Sequence, residues 1–128
     1  MNHTDMPGFC AGIRDVLYRL GITEKYRGFF YISYAVCLTI QQPERLLLIT
    51  KWLYPDIAKQ YDTNWFNVER NIRTCVSIAW NISPDELFLI AMHPLKRKPS
   101  NSNFISILAN YLCPPTNSTE SKKLPFTT

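Results

Sequence analysis

Hydrophobic residues recur every three or four positions along most of this chain, which is the spacing of amphipathic helices. The pattern predicts a first helix over about residues 10–20, which Gly21 ends, and a second over about residues 24–41. The second helix is apolar nearly all the way round, as is typical of a buried central helix. A third helix is predicted to begin at Pro43 and to carry the apolar residues Leu46, Leu47, Leu48, Ile49, Trp52 and Leu53.

The same pattern continues toward the C-terminus. Ser83-Pro84-Asp85-Glu86 predicts a helix start in which Ser83 is the N-cap and Glu86 completes a capping box. A last helix is predicted to follow an N-cap at Ser100 or Asn101 and to end near Leu112. Because strand-like alternation is absent from the sequence, the predicted fold is all-α, a compact bundle of about six helices.

Between these segments, residues 54–80 predict two helices joined by a tight turn. Asp62, Thr63 and Asn64 supply the turn, and Asn64 is the expected N-cap of the second helix, residues 65–80. That helix has an apolar face formed by Val68, Ile72, Cys75, Val76 and Ala79, and an opposite face formed by Phe66, Glu69, Arg70, Arg73 and Ser77. The arrangement is typical of a helix-turn-helix, whose second helix presents its N-terminal half to the DNA major groove.

The polar face has two interpretations. Arginine can donate two hydrogen bonds to guanine and a carboxylate can accept from cytosine, so Glu69, Arg70 and Arg73 are suited to reading bases. A polar stripe is also commonly a solvated face, on which Glu69 and Arg73 would form an ordinary ion pair four residues apart.

A second candidate site is the basic stretch Lys96-Arg97-Lys98-Pro99-Ser100-Asn101. Its cations lead into a predicted helix N-terminus, where free amides and the helix dipole favour anions. Short basic loops are usually only solvated surface. Next to a DNA-reading helix, however, this stretch is expected to hold the phosphate backbone.

Composition narrows the class of protein further. The chain has 128 residues, a net charge of +4 and a pI near 8.9, which suit one globular domain with a nucleic-acid partner. We assign the domain to residues 1–115 and predict a disordered polar tail over residues 116–128.

The four cysteines form no CxxC pair, and no nucleophile–base pair occurs, so we expect no metal, no cofactor, no catalytic residue and no small-molecule substrate. Lacking a signal peptide or membrane-length apolar run, the protein is expected to be cytoplasmic and nucleoid-associated, with no membrane contact.

The motifs LYPDIAKQYDT and VERNIR, flanked by LGITEKYRGFFYI and KRKPSNSNFI, resemble a known family. They are similar to the C-terminal DNA-binding effector domain of the response regulator that initiates sporulation in endospore-forming bacteria, over about Gly12–Leu112. The resemblance implies that Glu69 and Arg70 read bases and that Arg73 contacts a base or a phosphate. Further residues are expected at the DNA backbone or flanking it: Lys59, Asn64, Phe66, Asn67, Lys96, Lys98, Ser100 and Asn101.

Two departures from the family affect this expectation. Family members commonly have Ser-Arg before Val-Glu-Arg, whereas this chain has Phe66-Asn67, which removes a charged contact and places an aromatic ring where DNA would lie. The family also carries an N-terminal receiver domain, and only a short stretch precedes the similarity here. The sequence is therefore expected to be either a stand-alone paralogue or a fragment of a longer protein, and no phosphorylation switch is carried over.

Two functions remain open from the sequence. The first is a sequence-specific transcription regulator that binds double-stranded DNA and pairs head-to-tail with a second copy on tandem sites. The second is a receiverless interaction module that forms a heterodimer with the full-length regulator and binds DNA weakly or without specificity. Retention of Glu69, Arg70 and Arg73 favours the first, whereas Phe66 and Asn67 lend weight to the second.

Overall fold

A computed structural model describes residues 10–114, which contain six α-helices and no strand. The all-α prediction is therefore confirmed for this part of the chain, and the tail predicted at residues 116–128 lies outside it. The helices are α1 (Ile13–Arg19), α2 (Arg27–Gln41), α3 (Tyr54–Gln60), α4 (Trp65–Ile82), α5 (Pro84–Ala91) and α6 (Asn101–Leu112). None of the helices in this range is both long enough and apolar enough to cross a membrane.

Helix α2 lies at the centre of the bundle and packs against both α4 and α6, as its apolar sequence predicts. Gly28 allows the close approach to α4, because a Cβ atom at this position would lie 2.6 Å from the backbone oxygen of Asn71. The five residues predicted on the inner face of α4 are all buried: Val68, Ile72, Cys75, Val76 and Ala79. The position of α4 is therefore set by contacts with the core, and its opposite face remains at the surface.

The segment between α2 and α3 differs from the prediction of a third α-helix. Residues Pro43–Leu48 form a 3₁₀ helix and Ile49–Leu53 form a π-helical turn. The run Leu46–Ile49 is apolar at four consecutive positions, so an α-helix there would have no single face to bury. Leu53 is buried instead, while Leu47 is 82% exposed. Arg45 joins this segment to α3 through an ion pair with Asp56.

The predicted capping box at α5 is also wrong. Pro84 does occupy the first turn, but the Ser83 side chain caps nothing, because Ser83 ends α4 and begins α5 at the same position. Its backbone amide still donates to Ala79 at 3.0 Å, and its φ of −130° and ψ of 50° are not those of an extended N-cap. Glu86 instead accepts a hydrogen bond from Arg19 at 3.0 Å, which joins α5 to α1.

Candidate nucleic-acid interface

Helices α3 and α4 pack against each other as the two helices of the predicted motif. The turn between them passes through Asp62, whose φ of 54° is left-handed, a conformation that aspartate tolerates better than most residues. The Thr63 amide donates to Ala58 at 2.9 Å, which closes the end of α3. Asn64 accepts from the Asn67 amide at 2.8 Å, so its predicted role as N-cap of α4 is confirmed.

The polar face of α4 carries two separate side-chain clusters. Glu69 accepts a hydrogen bond from Arg73 at 2.8 Å, the i,i+4 ion pair that the sequence allowed as an alternative to base reading. Arg70 donates from Nη2 to Asn67 Oδ1 at 3.1 Å, and its guanidinium carbon lies 5.0 Å from the centre of the Phe66 ring. Since a guanidinium has five N–H donors, Arg70 keeps several for a ligand.

Two aromatic side chains are exposed on the first turn of α4. Trp65 is 47% exposed and Phe66 52%, and their ring centres lie 6.0 Å apart in an edge-to-face arrangement. The sequence predicted a site role for Phe66 but not for Trp65. Its place directly after the N-cap Asn64 was the signal that could have identified it.

The basic loop before α6 lies beside α4. Lys98 Nζ donates to Ser77 Oγ on α4 at 2.9 Å, while the side chains of Lys96 and Arg97 are exposed. Ser100 accepts from the Asn103 amide at 3.1 Å, which makes it the N-cap of α6. The loop thus brings cations and a capped helix N-terminus to the outer side of α4.

Asn101 is engaged within the protein. Its side-chain amide donates to Tyr54 Oη at 2.9 Å and to the backbone oxygen of Glu69 at 3.1 Å. Tyr54 is buried at the start of α3, and desolvation is the main reason that its pKa is raised. Asn101 therefore fixes the start of α6 to both helices of the motif. Its backbone amide belongs to the first turn of α6, where the N–H groups have no acceptor within the helix.

A groove of about 470 Å³ shows which predicted residues come together. Its lining includes Glu69, Arg73, Lys98, Ser100 and Asn101, from α4 and from the start of α6. The other predicted residues do not line it: Lys59, Asn64, Phe66, Asn67, Arg70 and Lys96. Lys59 lies on α3 beside a different groove of about 440 Å³, whose lining also includes Asp56.

Three cysteines that are far apart in sequence lie near enough in the structure to influence one another electrostatically: Cys10, Cys37 and Cys113. Burial, with a smaller contribution from the nearby Cys37 and Cys113, raises the pKa of the Cys10 thiol to about 11. Burial alone raises the pKa of Cys75 to about 12. Within residues 10–114, no group of three or more His, Cys, Asp or Glu side chains could hold a metal ion.

These pKa values predict an order of thiol reactivity. A raised pKa means less thiolate at a given pH, so at pH 8 only about one Cys10 thiol in a thousand is ionised. We expect iodoacetamide to modify the exposed Cys113 first, with Cys10 and Cys75 far slower, as followed by peptide mass spectrometry. The Cys10 rate should rise about tenfold per pH unit between pH 7 and 9. Cys113→Ser is the control and should remove the early modified Cys113 peptide without changing the Cys75 rate, whereas a Cys75 rate equal to that of Cys113 in the wild type would contradict the prediction.

The helical part of the chain matches a known protein family. The family model described as "Sporulation initiation factor Spo0A C terminal" matches residues 13–112. This range begins with the first residue of α1 and ends with the last residue of α6. It therefore covers the whole helical body, including both helices of the motif and the basic loop.

Proposed function

This chain belongs to the Spo0A C-terminal family of sporulation regulators, whose members are DNA-binding domains, and from that membership we propose that it is a sequence-specific transcription regulator. In this proposal α4 lies in the major groove of double-stranded DNA, with Glu69, Arg70 and Arg73 facing the base edges. The observation that carries it is the outward face of α4, on which Arg70 and Arg73 are exposed and Glu69 is half-buried, while the opposite face is buried.

The state of Arg70 supports a base-reading role. Its bond to Asn67 and its position over the Phe66 ring limit the number of rotamers that the free side chain occupies. A side chain that is ordered before binding loses less entropy when it binds. Arg70 is thus held ready to donate two hydrogen bonds to guanine, the base that arginine most often contacts.

The ion pair between Glu69 and Arg73 is compatible with this role. The side chain of Arg73 is 54% exposed and that of Glu69 27%, so the pair contributes only about 0–1 kcal/mol. A good bidentate base contact discriminates by about 1–3 kcal/mol, which is larger. We infer that the pair opens on binding, after which Glu69 accepts from a cytosine and Arg73 contacts a base or a phosphate.

The remaining predicted residues are assigned to the DNA backbone. Lys96, Lys98, Ser100 and the free amides at the start of α6 would contact phosphates on one side of α4. Lys59 and Asn64 would do so from α3 and the turn, with Phe66 and Asn67 flanking the base readers. Head-to-tail pairing on tandem sites, and pairing with a full-length regulator, stay predictions.

The test is a comparison of two labelled duplexes by fluorescence anisotropy. One is selected from a randomised pool by the wild-type chain, and the other is its scrambled sequence. We expect the selected duplex to bind more tightly at both about 50 mM and about 200 mM salt, although both affinities fall as salt rises. Equal binding of the two duplexes at both salt concentrations would overturn sequence-specific regulation.

Lys98→Ala tests the backbone contacts separately. If Lys98 contacts one phosphate, the variant should bind all duplexes more weakly, and the slope of log affinity against log salt should decrease by about 1. The ratio of affinities for the selected and scrambled duplexes should stay the same, because a phosphate contact carries no sequence information. Lys51→Ala, which removes an exposed cation from the segment before α3, is the matched control. A changed ratio with an unchanged slope would argue against a phosphate contact.

A further inference from the structure

We propose that Phe66 reads a thymine, its ring contacting the 5-methyl group in the major groove. This inference rests on the proposed function and adds to it a second kind of base, recognised by an apolar contact. It also gives Phe66 a different role from the flanking one expected from the sequence. A phenyl ring has no hydrogen-bonding group, so it has little to offer a phosphate.

The first observation is the position of the ring. Phe66 is the second residue of α4 and is 52% exposed, although burying a phenylalanine side chain is strongly favourable. The N-terminal residues of a recognition helix are those that reach base edges. The ring therefore lies where the proposed complex would remove it from water.

The second observation is that the ring is held in place before any ligand binds. Trp65 packs edge-to-face against it at 6.0 Å, and the Arg70 guanidinium lies at 5.0 Å from its centre. Trp65 is the preceding residue and Arg70 lies one turn further along α4; both are themselves exposed, so they orient the ring without burying it. An oriented ring loses little freedom on contact with a base.

The thymine methyl is the apolar group on the base edges of the major groove, and contact with phenylalanine is one of the known ways to read it. Phe66 and Arg70 are four positions apart and stand on the same face of α4. The bases that they contact are therefore expected to be close neighbours, a thymine beside the guanine that Arg70 reads.

The experiment removes only the methyl group. Each thymine of the selected duplex is replaced in turn by deoxyuridine, and binding is measured by fluorescence anisotropy for the wild type and for Phe66→Ala. We expect one replacement to weaken wild-type binding about fourfold, the factor that corresponds to losing one buried methyl group. Phe66→Ala should bind the thymine and deoxyuridine duplexes equally, because no ring remains to contact the methyl.

Three variants separate this role from general weakening. Phe66→Leu keeps an apolar side chain and should retain part of the effect. Arg70→Ala should still distinguish thymine from deoxyuridine, although it binds more weakly. Leu89→Ala removes a similarly exposed apolar side chain from α5 and should behave as the wild type. Thermal unfolding checks that each variant is folded, which is expected because Phe66 and Leu89 are exposed.

The outcomes distinguish this inference from the function on which it rests. If the selected duplex is preferred over its scrambled form but no deoxyuridine weakens binding, the thymine contact is wrong and sequence-specific binding stands. If replacing a thymine by deoxyuridine weakens binding of Phe66→Ala as much as binding of the wild type, the thymine contact is also wrong. If no duplex is preferred, both proposals fail together.

Discussion

Arg70→Ala is expected to weaken binding to the selected duplex by about 1–3 kcal/mol, which is roughly a 5- to 160-fold loss. The loss should appear at one base pair, because the variant can no longer donate two hydrogen bonds to that base. Replacing that base pair in the duplex should weaken binding of the wild type by as much as Arg70→Ala does. The same replacement should weaken binding of the variant only slightly. This coupling between one side chain and one base pair is measured by titrating both proteins against both duplexes.

Two further variants control for charge and shape. Arg97→Ala removes a guanidinium from the exposed loop, so it should weaken the selected and scrambled duplexes together. Arg70→Lys keeps the charge but not the two-pronged donor, so most of the base preference should still be lost. If Arg70→Ala left the affinity for the selected duplex unchanged, the base-reading assignment would be wrong.

Gly28→Ala is expected to destabilise the fold by about 1–3 kcal/mol. An added Cβ would lie 2.6 Å from the backbone oxygen of Asn71 and would also collide with the Cys75 sulfur. In an unobstructed helix interior, Gly→Ala is instead stabilising by up to about 1 kcal/mol. The collision should outweigh this gain because one of the two groups is the backbone of α4. Urea denaturation of the variant and the wild type gives the difference.

The double variant Gly28→Ala/Cys75→Ala identifies which collision dominates. Removing the sulfur relieves one of the two contacts, so the double variant should recover only part of the stability, even after correction for Cys75→Ala alone. Asn110→Ala, at an exposed position of α6, is the control for helix propensity and should be neutral or slightly stabilising. A Gly28→Ala variant as stable as the wild type would mean that α2 and α4 can separate at little cost.

The sequence determined those features that depend on residues within about four positions of one another. The buried face of α4 could be predicted because helical periodicity places Val68, Ile72 and Ala79 on one side. The N-cap Asn64 could be predicted, and that of α6 narrowed to Ser100 or Asn101, because a capping side chain bonds an amide only two or three residues ahead. The structure selects Ser100. The exposed face with Glu69, Arg70 and Arg73 follows from the same periodicity.

Tertiary structure decided what long polar side chains bind and how the connections run. Glu86 could have completed a local capping box, but packing of α1 against the bundle brings Arg19 to it across 67 residues. Asn101 similarly bonds Tyr54, 47 residues earlier, and the segment 43–53 bends so that Leu53 reaches the core. Local pattern does not encode such contacts, because they exist only once helices distant in sequence have packed together.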